Sequence, residues 1–363
     1  MRGKNALTVI VGISALLLAA CSQGGTTSSA ADAGTTEAAT ATMPAPFDAG
    51  PVKIALVQNS GAGDYFQQWT NGANLQAKAI GFDMQTYDAQ ADNAKQATDM
   101  ETAIGSGVKG IIVDHGNADT MCPGIIKAVA AGIAVVVYDV DIRKCAPTAV
   151  FTSQSDESLA SLVLAQAATD LGKDKTVGYV NVLGIAPLDR RHVIWEQVKK
   201  DNNWTEKFFV GKFTNSVATD NAQLADAALK KNPGVAGIFA PYDELAKGTI
   251  SAIYQNNLQA KVKVYGIDIS NADIEIMTKA DSPWTATAGT DPNAIGAGVV
   301  RAMALQLAGQ LNKTEVSFPG VLITAQFLKD NAIKNMTDLR AKLPELNLTK
   351  EVTADWIPTV AFN

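Results

Sequence analysis

Val52–Gln58 reads VKIALVQ and is followed, after Asn59-Ser60, by Gly61-Ala62-Gly63-Asp64-Tyr65-Phe66. The first run is aliphatic and β-branched with no charge after Lys53, the pattern of a strand buried on both faces. The second opens a helix that Asp64 can cap, that runs to about Ile80 and that Gly81 closes. A strand of this kind feeding a helix begins a βαβ unit, whose crossover is right-handed.

The unit repeats along the chain. Strands are expected at Phe82–Asp88, Gly110–His115 and Ala134–Val140, with helices at Asp92–Ser106 and Asp119–Ala131 between them. In a second series, helix Asp156–Leu171 precedes strand Thr176–Val182, and helix Pro187–Asp201 precedes strand Lys207–Gly211. Helix Asn221–Lys231 then leads to Gly237–Tyr242, helix Asp243–Gln255 to Val262–Asp268, and helix Ala272–Ala280 follows. Such alternation builds parallel, doubly wound α/β sheets. Two series of similar length in 363 residues imply two Rossmann-like lobes rather than one long sheet. Trp284–Thr290, helix Pro292–Leu311 and Val321–Thr324 come late enough to return to the first lobe. The chain should therefore cross near Ser153–Ser155, Thr290 and Val316–Phe318, making a multi-stranded hinge. The lobes expected are 51–154 plus 291–317 and 155–290 plus 318–363, with Trp356 anchoring a helical tail from Gln326.

Hydrophobic residues at 47% against 18% charged supply two cores and exclude a disordered or fibrous chain. Lys+Arg 30 against Asp+Glu 36 leaves −6, which opposes a nucleic-acid partner, since phosphate neutralisation needs a basic face. Two His and three Cys supply a zinc site poorly, so neither metal nor cofactor is expected.

The N-terminus sets the compartment. Arg2 and Lys4 precede the apolar run Leu7–Ala20, too short to span a bilayer and shaped like the core of a secretory signal. Leu18-Ala19-Ala20-Cys21 resembles the lipobox of bacterial lipoproteins, which implies cleavage of residues 1–20 and a lipid on Cys21. Residues 21–50 would then be a linker, since Ser22–Pro46 is a Ser/Thr/Ala/Gly stretch unable to pack. Cleavage removes two basic residues, leaving 28 against 36 acidic, or −8, on an extracytoplasmic, lipid-anchored protein. In that oxidising setting Cys122, opening a helix, and Cys145, in the loop after the next strand, lie at one sheet edge. A disulfide is the favoured reading; two unpaired thiols are the alternative, because sequence does not set their separation.

Ligands of doubly wound sheets bind beyond the strands' carboxyl ends. The polar residues expected there include Asn59, Asp88, Asp114 with His115, Asp139 with Asp141, Asn181, Tyr242 with Asp243, and Asp268, with Tyr65 and Phe66 opening the first helix. Carboxylates that accept from vicinal hydroxyls, beside aromatic faces, suit a neutral polyhydroxylated ligand. The same aspartates also serve as turn formers and helix caps. Gly61 and Gly63 make half a dinucleotide fingerprint, but Phe66 replaces the third glycine. There is no G-x-S-x-G elbow, and Asp114 with His115 is the one pair on which a secreted hydrolase could be built. Asp189-Arg190-Arg191-His192 begins a helix, where cations oppose the dipole. One arginine, Arg191, is read as aimed into the cleft; Arg190 is assigned a surface salt bridge.

Taken in order, these segments resemble the type I periplasmic substrate-binding proteins of ABC importers, the ribose/galactose-type sugar binders. The resemblance spans Val52–Val321 and rests on Tyr65-Phe66 with Asn71-Gly72-Ala73, Gly110–Asp114, Ala131-Gly132-Ile133 with Tyr138-Asp139, Asp189-Arg190-Arg191 with Trp195, Gly237–Ala240 with Tyr242-Asp243-Glu244, Val264–Asp268, and Thr290-Asp291-Pro292 with Ile295-Gly296. It implies a non-enzymatic, monomeric binder that closes on a monosaccharide or polyol and presents it to a permease. Tyr65 and Phe66 would sandwich the sugar, with Asp114, Asp139, Arg191, Tyr242 and Asp268 binding it. Gly63, Val140 and Thr290 stand where the family often has Asn, Arg and a hinge Gln, which leaves the particular sugar open. A nucleoside-, purine- or autoinducer-binding lipoprotein of the same fold is the alternative, and a hydrolase using Asp114 and His115 the second.

Overall fold

The computed structural model describes residues 41–362; the signal segment and Cys21 lie outside them. Strands β1 (Val52–Gln58), β2 (Phe82–Asp88), β3 (Gly110–Asp114), β4 (Ala134–Tyr138) and β5 (Val150–Gln154) alternate with helices α1 (Asp64–Ile80), α2 (Asn93–Gly105) and α3 (Ala118–Ala130). After α4 (Asp156–Leu171) come β6 (Thr176–Val180), α5 (Ala186–Asp201), β7 (Thr205–Val210), α6 (Val217–Lys231), β8 (Gly237–Ala240), α7 (Asp243–Gln255), β9 (Lys263–Ile267), α8 (Asn271–Thr278) and β10 (Trp284–Gly289). Helix α9 (Pro292–Leu307), β11 (Glu315–Phe318), β12 (Val321–Thr324), α10 (Ala325–Asp330) and α11 (Met336–Lys342) complete the chain.

The strands form two six-stranded sheets, ordered β11-β5-β4-β3-β1-β2 and β12-β10-β9-β8-β6-β7. All neighbours are parallel except β12, which runs antiparallel to β10. The period-2 pleat splits each strand between two cores. In β1, Ile54 and Leu56 face the core beneath α1 and α9, whereas Ala55 and Val57 face that beneath α2 and α3. Helices α1 and α9 cross so closely that a Cβ on Gly72 would sit 1.9 Å from the Asn293 carbonyl, and one on Gly296 2.0 Å from that of Trp69. Any side chain at either position would force the helices apart.

Two strands were not expected from the sequence. β5 ends Thr152-Ser153-Gln154, polar residues that read as a loop, yet all five of its residues are buried. Their polar groups are satisfied internally: Thr152 Oγ1 donates to the Val137 carbonyl at 2.8 Å, and Gln154 binds across the hinge. β11 is a four-residue edge strand whose burial alternates, too short for periodicity to register. Asp64 does not cap α1; Gly63 occupies that position with φ +90°, and Asp64 is the first helical residue.

Sheet membership changes at three places, between Gln154 and Asp156, between Gly289 and Pro292, and between Phe318 and Val321. These segments run side by side. The Ser155 amide donates to the Phe318 carbonyl at 2.9 Å, the Ser155 and Ser317 hydroxyls lie 2.7 Å apart, and Thr290 Oγ1 donates to Gln154 Oε1 at 3.3 Å.

The tail does not stay with the second lobe. α10 packs on α8 and β10, but Trp356 stacks on Phe47 and donates to Gln310, and the Pro358 carbonyl accepts from Gln76 of α1. Buried arginines fasten it to the first lobe: Arg301 of α9 donates to the Leu348 and Glu351 carbonyls, and Arg340 pairs with Asp291 at 2.8 Å. Cys122 and Cys145 are bonded, with Cα atoms 6.1 Å apart, tying α3 to the loop after β4.

Candidate functional site

The carboxyl ends of both sheets face one another across a cavity of about 420 Å³. Tyr65 and Phe66 enter from the first turn of α1, Arg191 from α5, Tyr242 from the residue before α7, and Asp268 from the end of β9. These five of the seven residues expected to bind ligand line the cavity. The other two do not. Asp114 is 1% exposed and sits behind His115, whose Nδ1 it holds at 2.7 Å. Asp139, also 1% exposed, turns to Arg190 and lies 3.8 Å from His115 Nε2. Each stands at a strand end and was therefore a candidate, but the Asp114 carboxylate is held by the His115 ring and that of Asp139 by Arg190, behind the wall. His115 takes the wall position instead, with φ +53°, edge-on to Phe66 at 4.9 Å.

Sequence reasoning also missed Gln154. Its Nε2 donates to Tyr65 Oη at 2.7 Å and to Asp268 Oδ1 at 3.2 Å, so one amide on the hinge touches both lobes and the cavity. The Tyr65 and Tyr138 hydroxyls are 2.5 Å apart, which fixes the Tyr65 ring. A hinge glutamine sits at 154 rather than at Thr290, which donates to it.

The charges form a chain through the site. Arg191 is 3% exposed, donating to Asp156 Oδ1 at 2.7 Å and to the Pro241 carbonyl at 2.6 Å, with Asp268 Oδ2 at 3.5 Å. Burial pushes Asp268 above the ordinary carboxylate range, and Arg191 and Gln154 oppose that rise. Asp139 is pushed up to about 6 by burial and by Asp156, against the pull of Arg190, His115 and Arg191. Burial lowers His115, but the Asp114 carboxylate outweighs it and the net shift is upward. Arg190 is not a surface salt bridge. It donates to Asp156 Oδ2 at 2.8 Å within its own lobe and to Asp139 of the other lobe.

A second pair joins the lobes on the cavity's far side. Lys247 of α7 reaches Asp64 of α1 at 2.6 Å, and Ser60 donates to Asn215 at 3.4 Å. The cavity is thus held shut by ion pairs at Asp139–Arg190 and Asp64–Lys247. An arrangement of carboxylate, guanidinium, amides and aromatic rings on facing lobes can enclose a neutral polar molecule and desolvate it.

Residues 54–311 match the periplasmic binding protein domain family. The chain belongs to that family. A solved 5-methylthioribose transporter solute-binding protein from Thermotoga lettingae is 36% identical, with a TM-score of 0.81, over 84% of this chain and 97% of that one. A sugar ABC transporter protein from Yersinia enterocolitica is 28% identical, with a TM-score of 0.84, over 88% of this chain and 98% of that one. Among characterised relatives, the ribose import binding protein of Bacillus subtilis is 25% identical over 260 residues, 70% of this chain and 81% of the relative. The D-apiose import binding protein of Paraburkholderia graminis is 27% identical over 228 residues, 60% of this chain and 70% of the relative. Membership makes the chain an extracytoplasmic binding protein of transport and not an enzyme, so the hydrolase reading of Asp114 and His115 is set aside. Among the described residues no helix is long and apolar enough to cross a membrane.

Proposed function

We propose that this binding protein captures a monosaccharide or polyol between its lobes and delivers it to the permease of an ABC importer. The observation that carries this reading is the enclosed cavity where Asp268, Arg191 and Gln154 present acceptors and donors beside the rings of Tyr65, Phe66 and Tyr242. Vicinal hydroxyls satisfy such groups in pairs, and the C–H faces of a sugar pack on aromatic rings. Asp114 and Asp139 act one step back, orienting His115 and Arg190. The relatives that bind ribose, apiose and 5-methylthioribose support a pentose-sized ligand.

The segments at 154–156, 289–292 and 318–321 serve as the hinge. Ligand that touches both lobes favours the closed state by its higher affinity for it, and closure is what a permease reads. Cys21 carries the lipid, and the Ser/Thr/Ala/Gly residues after it tether a monomeric binding domain to the membrane; the linker ends short of the expected residue 50, because Phe47 is buried against Phe82 and Trp356. Cys21→Ala would move the protein from the membrane to the soluble fraction.

Thermal unfolding against pentoses, hexoses, polyols, inositols and nucleosides tests the ligand class. A ligand of the folded form adds about 2.7 kcal/mol at a hundredfold excess over its Kd. A raised midpoint with a sugar or polyol is the expected result, and a shift with nucleosides alone would overturn the carbohydrate reading.

A further inference from the structure

The second lobe's wall of the cavity is polar at one end only. Along the second sheet the strands run β9, β8, β6, β7, and the residues at their carboxyl ends change in the same order. Asp268 follows β9 and Tyr242 follows β8; Val182, Ile185 and Leu188 follow β6, and Phe213 follows β7. The outer half of this wall therefore offers hydrocarbon where the inner half offers hydrogen bonds.

Asn93, His115 and Asn117 line the first-lobe side of the cavity, whereas the few polar groups of the second lobe's outer half are already engaged. The Gly184 amide donates to Asp189 Oδ1 at 2.9 Å and the Lys212 amide to Asn221 Oδ1 at 3.0 Å. The Lys212 ammonium is drawn outward to Asp220 at 3.2 Å. On the first lobe Asn59 Nδ2 donates to both Asn93 and Gln96 at 2.9 Å. A hydroxyl placed against Ile185, Leu188 and Phe213 would lose its water and find no side-chain partner on that wall, which is unfavourable for a buried polar group. A hydrocarbon or thioether group would instead be desolvated with gain.

From this gradient, and resting on the carbohydrate reading above, we infer that the ligand is a pentose-sized sugar in which a small apolar substituent replaces or caps one hydroxyl. The hydroxylated ring lies by Asp268, Arg191 and Gln154, and the substituent lies on Ile185, Leu188 and Phe213. On this wall Val182, Ile185, Pro187 and Leu188 offer the ring nitrogens and exocyclic groups of a nucleobase no side-chain partner.

Calorimetric titration with ribose, 5-deoxyribose, 5-methylthioribose, methyl ribofuranoside and inosine tests this on the intact protein. At least one apolar derivative should bind about tenfold or more tighter than ribose, the usual worth of a methyl or methylene group in a fitted pocket. Ile185→Asn and Phe213→Asn should each erase most of that preference, read as the ratio of the derivative's affinity to that of ribose; both side chains are only half-buried, and the apo melting midpoint reports whether the variants fold. Ribose binding as tightly as every derivative, or inosine binding tightest, overturns the inference; in the first case the carbohydrate reading survives. No binding of any of the five overturns the inference, and the carbohydrate reading then stands or falls on the wider panel of hexoses, polyols and inositols.

Discussion

Arg190 lines no part of the cavity, yet it should set ligand affinity. Its guanidinium donates to Asp156 in its own lobe and to Asp139 across the cleft. Opening the hinge keeps the first contact and breaks the second, so Arg190→Met removes an interaction that only the closed state makes. A hydrogen bond between charged groups contributes about 1.5–3 kcal/mol net. Arg190 is 18% exposed and Asp139 fully enclosed, so screening is partial and the lower half of that range applies first. Closure should weaken by enough to reduce affinity about 10- to 40-fold, since each 1.4 kcal/mol is a factor of ten. The loss should be smaller at acid pH: without Arg190 the closed state buries a carboxylate that takes up a proton instead. Calorimetric titration of wild type and Arg190→Met with the tightest sugar, at pH 5 and pH 8, reads both effects. Affinity within twofold of wild type at pH 8 would refute the reasoning, because the ion pair would then contribute nothing to closure.

Three further predictions follow from the same groups. In the wild type, burial and Asp156 hold Asp139 at about 6 in the folded protein, above its ordinary unfolded value, so the folded state binds more protons; stability should rise by about 1.4 kcal/mol from pH 8 to pH 5, with His115 adding in the same direction, and a melting midpoint that does not change with pH would contradict it. Arg191→Met should abolish binding and also lower the apo melting midpoint, because Asp156 and Asp268 lose a buried partner at a cost of about 3–5 kcal/mol; an unchanged apo midpoint would show the site to be more hydrated than its 3% exposure implies. Opening the Cys122–Cys145 bridge, which closes a loop of 23 residues, should cost about 3 kcal/mol of stability and leave affinity unaltered, as the bridge lies outside the cavity wall; denaturant unfolding of the double Ser variant against titration checks both halves.

The doubly wound lobes were legible because buried parallel strands such as VKIALVQ carry the strongest local signal a chain has. β5 was hidden by the opposite circumstance: Thr152, Ser153 and Gln154 are buried through hydrogen bonds to other segments, and no local pattern reports a long-range partner. The site followed the same division. Tyr242 and Asp268 follow from strand-end position together with residue type, Tyr65 and Phe66 from opening the first helix, and Arg191 from a cation set near a helix start. Asp114 and Asp139 share position and type with Asp268, and what separates them is whether another side chain, His115 or Arg190, stands between carboxylate and cavity. That depends on φ +53° at His115 and on lobe-to-lobe packing. The apolar outer wall was unread because Ile185 and Leu188 look like ordinary helix-entry residues; only the strand order β9-β8-β6-β7 places them in line with Asp268.

The central claim is that a sugar is enclosed between lobes that close on it and is returned unaltered. Small-angle X-ray scattering of the protein alone and saturated with the tightest sugar of the panel, followed by recovery of that sugar, tests it most directly. The account predicts a smaller radius of gyration in the saturated sample and chemically identical sugar afterwards. Identical scattering curves, or a converted sugar, would contradict it.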